Sequence, residues 1–297
     1  MKKKKKKLST EELIFHILLV PVFLFFMLIC FYPFYYLFIC TISDNRAVAL
    51  GQVMLYPVGV HLRNYLDVFK HPNLAHSAGI SLIRVALGTT ITLAANSYMA
   101  YFFTRQEMWA RKFWYRLVVT SMYFSAGMIP IYLNNTVLGL TNTFWIYVIP
   151  GMIGVYNMIL IKTSIEAVPA DLEESAYLDG AGYFTRFLRI ILPLQKPILA
   201  TTGLFAVVSH WNDFFTTKMY VTNTKLYTLQ FVLYELLAQA RAAAEQVTGE
   251  AAEELAQITP KAMQMTMTAV VIVPIMCVYP FIQKFYVKGV MIGAVKG

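Results

Sequence analysis

Hydrophobic residues run through this chain in long blocks, without the short alternation of a strand or the narrow stripe of a soluble helix. Six blocks, at about residues 13–42, 77–103, 117–133, 143–161, 197–217 and 263–283, come near or exceed the roughly 20 residues that a helix needs to cross a hydrocarbon core. Backbone in lipid must satisfy its own polar groups, so the blocks predict helices, the 117–133 block being the shortest. Pro33, Pro130, Pro150 and Pro274 mark expected kinks or ends. The expected fold class is all-α: a polytopic membrane protein with six transmembrane helices.

Composition agrees, with 58% hydrophobic and only 14% charged residues where a soluble domain carries about 25% charged. The net charge of +9 does not point to nucleic acid, because six of the 25 cations are lysines at positions 2–7, directly before the first apolar block. That block is too long and unbroken for a cleaved signal peptide and reads as a retained span. Cys30, Cys40 and Cys277 lie in apolar runs without metal-ligand spacing and are expected to be buried thiols. His16 and His210 lack a partner at ligand spacing, so packing roles are expected and no metal site.

Cations also orient the chain. Residues 2–7, 104–116, 162–196 and 284–296 hold seventeen Lys and Arg; the alternate side holds seven, Arg46, Arg63, Lys70, Lys218, Lys225, Arg241 and Lys261. Cationic loops stay cytoplasmic, so both termini are expected on the cytoplasmic side of the membrane. The expected organisation is a basic cytoplasmic N-terminus at 1–12, a first helix and external segment at 13–76, a core at 77–284 and a cytoplasmic tail at 285–297. The core includes a cytoplasmic loop at 166–197 and an external segment at 218–262. The latter is rich in helix formers and predicts one or two amphipathic helices interrupted at Gly249.

The loop at 166–197 is the most informative insert. Pro169 followed by Asp171, Glu173 and Glu174 signals a helix start, and Gly180 offers a left-handed stop. A second helix from about 183 to 192 would align Phe184, Phe187, Leu188 and Ile191 on one face before Pro193 and Pro197. An amphipathic helix resting on lipid headgroups could look like this, but three carboxylates near an anionic leaflet favour docking into a protein groove.

At these residues the chain resembles the membrane subunits of bacterial ATP-binding-cassette importers, marked by an E-A-A-x-x-x-G loop followed by I-x-L-P. Glu174, Ser175, Ala176 and Gly180 supply the first half, with serine in place of one alanine; Ile190, Leu192 and Pro193 supply the second. The segments SMYFSAGMIPIYLNNTVLGLTNTFW, WNDFF and YPFIQKFYVKGVMIGAVKG are similar to the carbohydrate-uptake branch, the maltose-type second permease and polysaccharide importers. The resemblance covers about residue 43 to the end. It implies a type I importer fold and no catalysis in this chain, with ATP and Mg bound by two partner ATPase subunits. It further implies a second homologous permease, an extracytoplasmic solute-binding protein, a sugar or oligosaccharide substrate, and a lipid bilayer around the whole. ATPase coupling falls to Glu174, Ser175, Ala176, Asp179, Gly180, Ile190, Leu192 and Pro193, with Lys288 and Gly289 in the tail as a further contact. The chain itself has no GxxxxGK[ST] loop for phosphate.

Four residues are candidates for the substrate path. Trp211, Asn212 and Asp213 combine a stacking surface with hydrogen-bonding groups, which suits either a sugar or helix-end packing. Arg84, early in the second block, is expected near the outer interface or snorkelling, with substrate contact as the alternative. A secondary transporter driven by an ion gradient is the rival class, and it predicts intramembrane carboxylates; apart from Asp213 the blocks hold none that are clear. A channel would show a filter sequence or polar rings, which are not evident.

Overall fold

The computed structural model describes residues 10–70, 72–246 and 261–294. Among them every regular element is helical. The chain divides into two compact units, residues 1–70 with 239–270, and residues 71–238 with 271–297.

In the first unit, α1 (Thr10–Thr41) continues through Pro21 and Pro33. Its apolar stretch Phe15–Thr41 is long enough to cross a bilayer, and none of its most apolar window is buried. Among its described side chains, those at the C-terminal end pack, with Ile39 and Cys40 meeting Ala47, Val48, Val53 and Ala262. Asp44 caps α2 (Asn45–Ala49) by accepting the Arg46 and Ala47 amides at 3.0 and 3.1 Å, and Asn64 in α3 (Arg63–Phe69) donates to the Thr41 carbonyl at 3.0 Å.

The second unit is built on α4 (Leu74–Thr104), which packs against α7 (Val155–Glu166) and α11 (Lys196–Asn212). The sequence explains this close approach: Ser77, Ser81, Arg84, Gly88, Thr92 and Asn96 recur at three- and four-residue spacing and are buried along one face of α4. Small and hydroxyl-bearing residues let membrane helices come together. Gly88 is pressed against the His210 ring, where an added Cβ would lie 2.6 Å from Nε2, and Gly203 meets Leu93. Asn96 donates to the Met152 carbonyl and accepts from the Gly154 amide, both at 3.0 Å.

The apolar blocks at 117–133 and 143–161 differ from the expected unbroken helices. The first becomes α5 (Arg111–Ser121) and α6 (Met128–Val137), separated where Gly127 takes a left-handed φ of 84° and Pro130 enters the first turn of α6. The second becomes a short 3-10 turn, Phe144–Tyr147, then a break containing Pro150, Gly151 and Gly154, then α7. Among the described residues three helices are long and apolar enough to span a membrane: Phe15–Thr41, Leu74–Thr104 and Lys261–Val278. Tyr183–Leu194 with Lys196–Asn212 qualifies only as a pair bent by 85°.

The segment at 218–262 holds α12 (Phe215–Tyr220) at its start and the expected helix as α13 (Leu229–Gln246). Gly249, like the basic run at 2–7, lies outside the described residues. α14 (Lys261–Ala294) runs through Pro274 and Pro280. Cys40 is buried as expected, but Cys30 and Cys277 are exposed on α1 and α14. An apolar thiol facing lipid needs no protein cover, so the apolar run alone did not imply burial.

Candidate functional site: a surface hairpin and a cavity

The charged insert forms a helical hairpin. α8 (Asp171–Leu178) begins with three carboxylates in its first turn, where the helix dipole favours them. Gly180 stops it at φ 80°, a left-handed value that few other residues adopt cheaply. The chain re-enters helix as α9 (Tyr183–Arg186), passes through a π turn, Phe187–Ile191, and ends as α10 (Leu192–Leu194). The 85° elbow into α11 follows at Gln195, whose Oε1 accepts the Ser164 hydroxyl at 2.5 Å.

Of the four apolar residues expected on one face of the second helix, Phe187 and Ile191 are buried against Tyr101, Phe103, Met158 and Ile161. Phe184 and Leu188 are exposed instead. The π turn accounts for the split: its wider winding keeps residues four apart on one face, as Phe187 and Ile191 are, but spreads residues three apart, so the α-helical periodicity overcounts the buried face.

Glu174, Ser175, Asp179 and Gly180 are exposed, and Ala176 is half-buried. Ile190 and Leu192 are half-buried, and Pro193 is exposed. The motif residues thus gather on one open hairpin. Glu173, one position earlier, was not singled out as a site residue, yet its side chain is only 12% exposed. It accepts the Tyr101 hydroxyl at 2.7 Å, pairs with Arg105, and lies 3.5 Å from Arg186. Burial pushes its carboxyl pKa up, but hydrogen bonds from Arg105 and Tyr101 and the charges of Arg105 and Arg186 outweigh that and hold it below the usual carboxylate range. A concavity lined by Arg105, Arg111, Glu173, Glu174, Tyr177 and Arg186 opens beside it.

Farther along α4 lies a cavity of about 560 Å³. Met128, Ile131 and Phe205 give it apolar walls, and Asn157, Ser209 and His210 give it polar groups. Arg84 and Asp213 both line it. Arg84 does not snorkel: it is 3% exposed, ion-paired to the Asp213 carboxylate, donates to the Asp213 carbonyl at 2.9 Å, and lies 4.6 Å over the Tyr147 ring. Asp213 in turn accepts the Thr216 amide at 3.0 Å and the Thr216 hydroxyl at 2.5 Å. The consecutive Trp211, Asn212 and Asp213 have different surroundings. Trp211 is buried and donates to the Val271 carbonyl at 3.0 Å, Asn212 is exposed, and neither lines the cavity. Lys288 and Gly289 fall within α14, and their side chains lie outside the described residues.

A helical bundle with span-length apolar helices, a solute-sized cavity and an exposed charged hairpin defines a membrane permease. The chain belongs to the family of binding-protein-dependent transport system inner membrane components, whose sequence profile matches residues 1–292. It is similar to Protein LplC of Bacillus subtilis (strain 168), with 35% identity across 89% of each chain. It is also similar to the polygalacturonan/rhamnogalacturonan transport system permease protein YtcP of the same organism, with 31% identity across 96% of this chain and 99% of that one. A solved structure, of a bacterial ABC transporter involved in the import of the acidic polysaccharide alginate, contains a similar chain at 26% identity. The two superpose with a TM-score of 0.83 over 95% of this chain and 100% of that one. The protein is therefore a non-catalytic permease subunit of an ATP-binding-cassette importer, and the ion-gradient alternative has no support. Membership of this family implies a partner permease, ATPases and a binding protein in general terms.

Proposed function

We propose that this subunit forms half of the translocation pathway for a sugar or oligosaccharide, delivered by an extracytoplasmic binding protein and driven by two cytoplasmic ATPase subunits that grip the hairpin. ATP and Mg are bound by those subunits. Both termini face the cytoplasm, and a second homologous permease completes the pathway. The relatives' named substrates, galacturonan-type and alginate polymers, support a saccharide. So does a cavity of mixed character, with apolar walls for a ring face and amide, hydroxyl and imidazole groups for its hydroxyls. Arg84 and Asp213 serve the path as a paired wall of the cavity; Lys288 and Gly289 are held as a further ATPase contact.

One observation carries the coupling role above the others: Glu174, Ser175 and Asp179 stand exposed on a hairpin whose base is fixed by buried groups. A surface helix that is rigid at its root and bare at its motif suits the delivery of force from a docked partner. Closure of the ATPases then rocks the two permeases between inward- and outward-facing states about the cavity. The test uses the intact importer. Glu174→Lys with Gly180→Pro should lose the ATPase subunits on purification and abolish uptake, while free ATPase subunits hydrolyse ATP as before. Wild-type uptake by that double variant would sink the coupling role.

A further inference from the structure

The importer motif begins at Glu174 and leaves Glu173 without a role, yet Glu173 is the better anchored of the two. Two donors and a further cation converge on its Oε1: the Tyr101 hydroxyl at 2.7 Å and Arg105 Nη1 donate to it, and Arg186 Nη1 lies 3.5 Å away as an ion pair. Tyr101 and Arg105 belong to the last turn and the cap of α4, and Arg186 belongs to α9. The cations have other neighbours. Arg105 lies 4.3 Å over the Tyr101 ring and donates through Nε to the Thr104 hydroxyl at 3.2 Å; Arg186 lies 4.5 Å over Tyr183 and 5.2 Å over Tyr177. The arginines are thus held in place from several sides, and the carboxylate is the piece that joins them.

The two helices of the hairpin are fastened differently. The second helix grips α4 and α7 through buried Phe187 and Ile191. α8, which carries the exposed motif, has no buried residue. Among the described residues, the hydrogen bonds and ion pairs that join α8 to α4 all run through Glu173. Besides the chain itself and the second hairpin helix, this carboxylate is therefore the direct polar link by which force on α8 reaches α4. Farther back along α4, some ten residues inside its start at Leu74, the helix is pinned again, by Arg84 to Asp213 just past the end of α11. At about 1.5 Å per residue, roughly 30 Å of helix separates the two arginines.

We propose that Glu173 is a positioning residue for energy coupling: its carboxylate joins the motif helix to α4, so that displacement of the hairpin moves α4 and with it Arg84 in the cavity wall. This rests on the reading of the hairpin as the ATPase contact. α4 is then a strut between two charged joints, one receiving motion and one delivering it to the solute path.

The experiment compares Glu173→Gln, Glu173→Asp and Glu174→Lys in the complete importer reconstituted in proteoliposomes. Its readouts are ATPase co-purification, basal ATP hydrolysis, and solute taken up per ATP. Glu173→Gln should keep the ATPase subunits and basal hydrolysis, while uptake per ATP falls at least about fivefold, the lower end of ordinary coupling strengths. Glu173→Asp, which keeps the charge, should recover a measurable part, and Tyr101→Phe should fall between wild type and Glu173→Gln. Wild-type uptake per ATP in Glu173→Gln overturns the proposal, as does loss of the ATPase subunits, which would make Glu173 a docking or folding residue. If Glu174→Lys releases the ATPase and Glu173→Gln stays fully coupled, only the Glu173 proposal falls. If Glu174→Lys keeps the ATPase and full uptake, the hairpin reading falls with it.

Discussion

Arg84 illustrates what one residue costs inside such a protein. A buried guanidinium survives because a carboxylate, a carbonyl and an aromatic face share its charge, and removing one partner leaves the other stranded. Arg84→Met should destabilise the importer by about 3 kcal/mol, and adding Asp213→Leu should restore much of the loss. Thermal unfolding of the two purified variants checks this, and a double variant no more stable than the single would contradict it. Both residues could be picked from the sequence, but not their pairing, which closes across 129 positions. The adjacency of Trp211, Asn212 and Asp213 likewise does not show their separate surroundings: α11 ends at Asn212, so the next residue turns into the cavity while Trp211 stays on a packed face. Glu173 and Glu174 present the same problem in miniature. Neighbours on a helix point about 100° apart, and nothing in a string of letters says which faces the protein. The clue was present in charge, since Arg105 and Arg186 fall in cationic loops on the same side.

At the scale of elements, polarity and punctuation were legible and winding was not. Pro169, the carboxylates and Gly180 located a helix–turn–helix, and the structure has one at those positions. The π turn at Phe187–Ile191 has no clear signature in the residues, so the buried face was drawn with two members too many. Hydropathy likewise gave the long helices α1, α4 and α14 but merged the broken ones, because Gly127, Pro130, Pro150, Gly151 and Gly154 interrupt hydrogen bonding without interrupting apolar character. The α4–α11 seam rests on a residue with no side chain. Gly88→Val would drive methyl groups into the His210 ring and should cost about 1–3 kcal/mol of bundle stability. His210→Ala in the same chain should relieve part of that, with the melting temperature of the assembled importer as the measure.

For the whole molecule the open quantity is direction. Seventeen cations on one side against seven on the other predict that the hairpin lies inside the cell. With Cys30, Cys40 and Cys277 replaced by serine, Gly180→Cys should react with a membrane-impermeant maleimide only from inverted vesicles, and Asn223→Cys only from intact cells, once the outer barriers are made permeable. The opposite pattern would reverse the topology and remove the hairpin from any ATPase. The break ahead of α7 carries a consequence of its own. Within hydrocarbon, peptide groups that leave the helical ladder must be met by protein or by water. Asn96 answers two of them, at Met152 and Gly154, while Pro150, Gly151 and Gly154 line the cavity. A solute that enters there therefore meets main-chain dipoles as well as side chains, since part of the wall is backbone with little side chain to cover it.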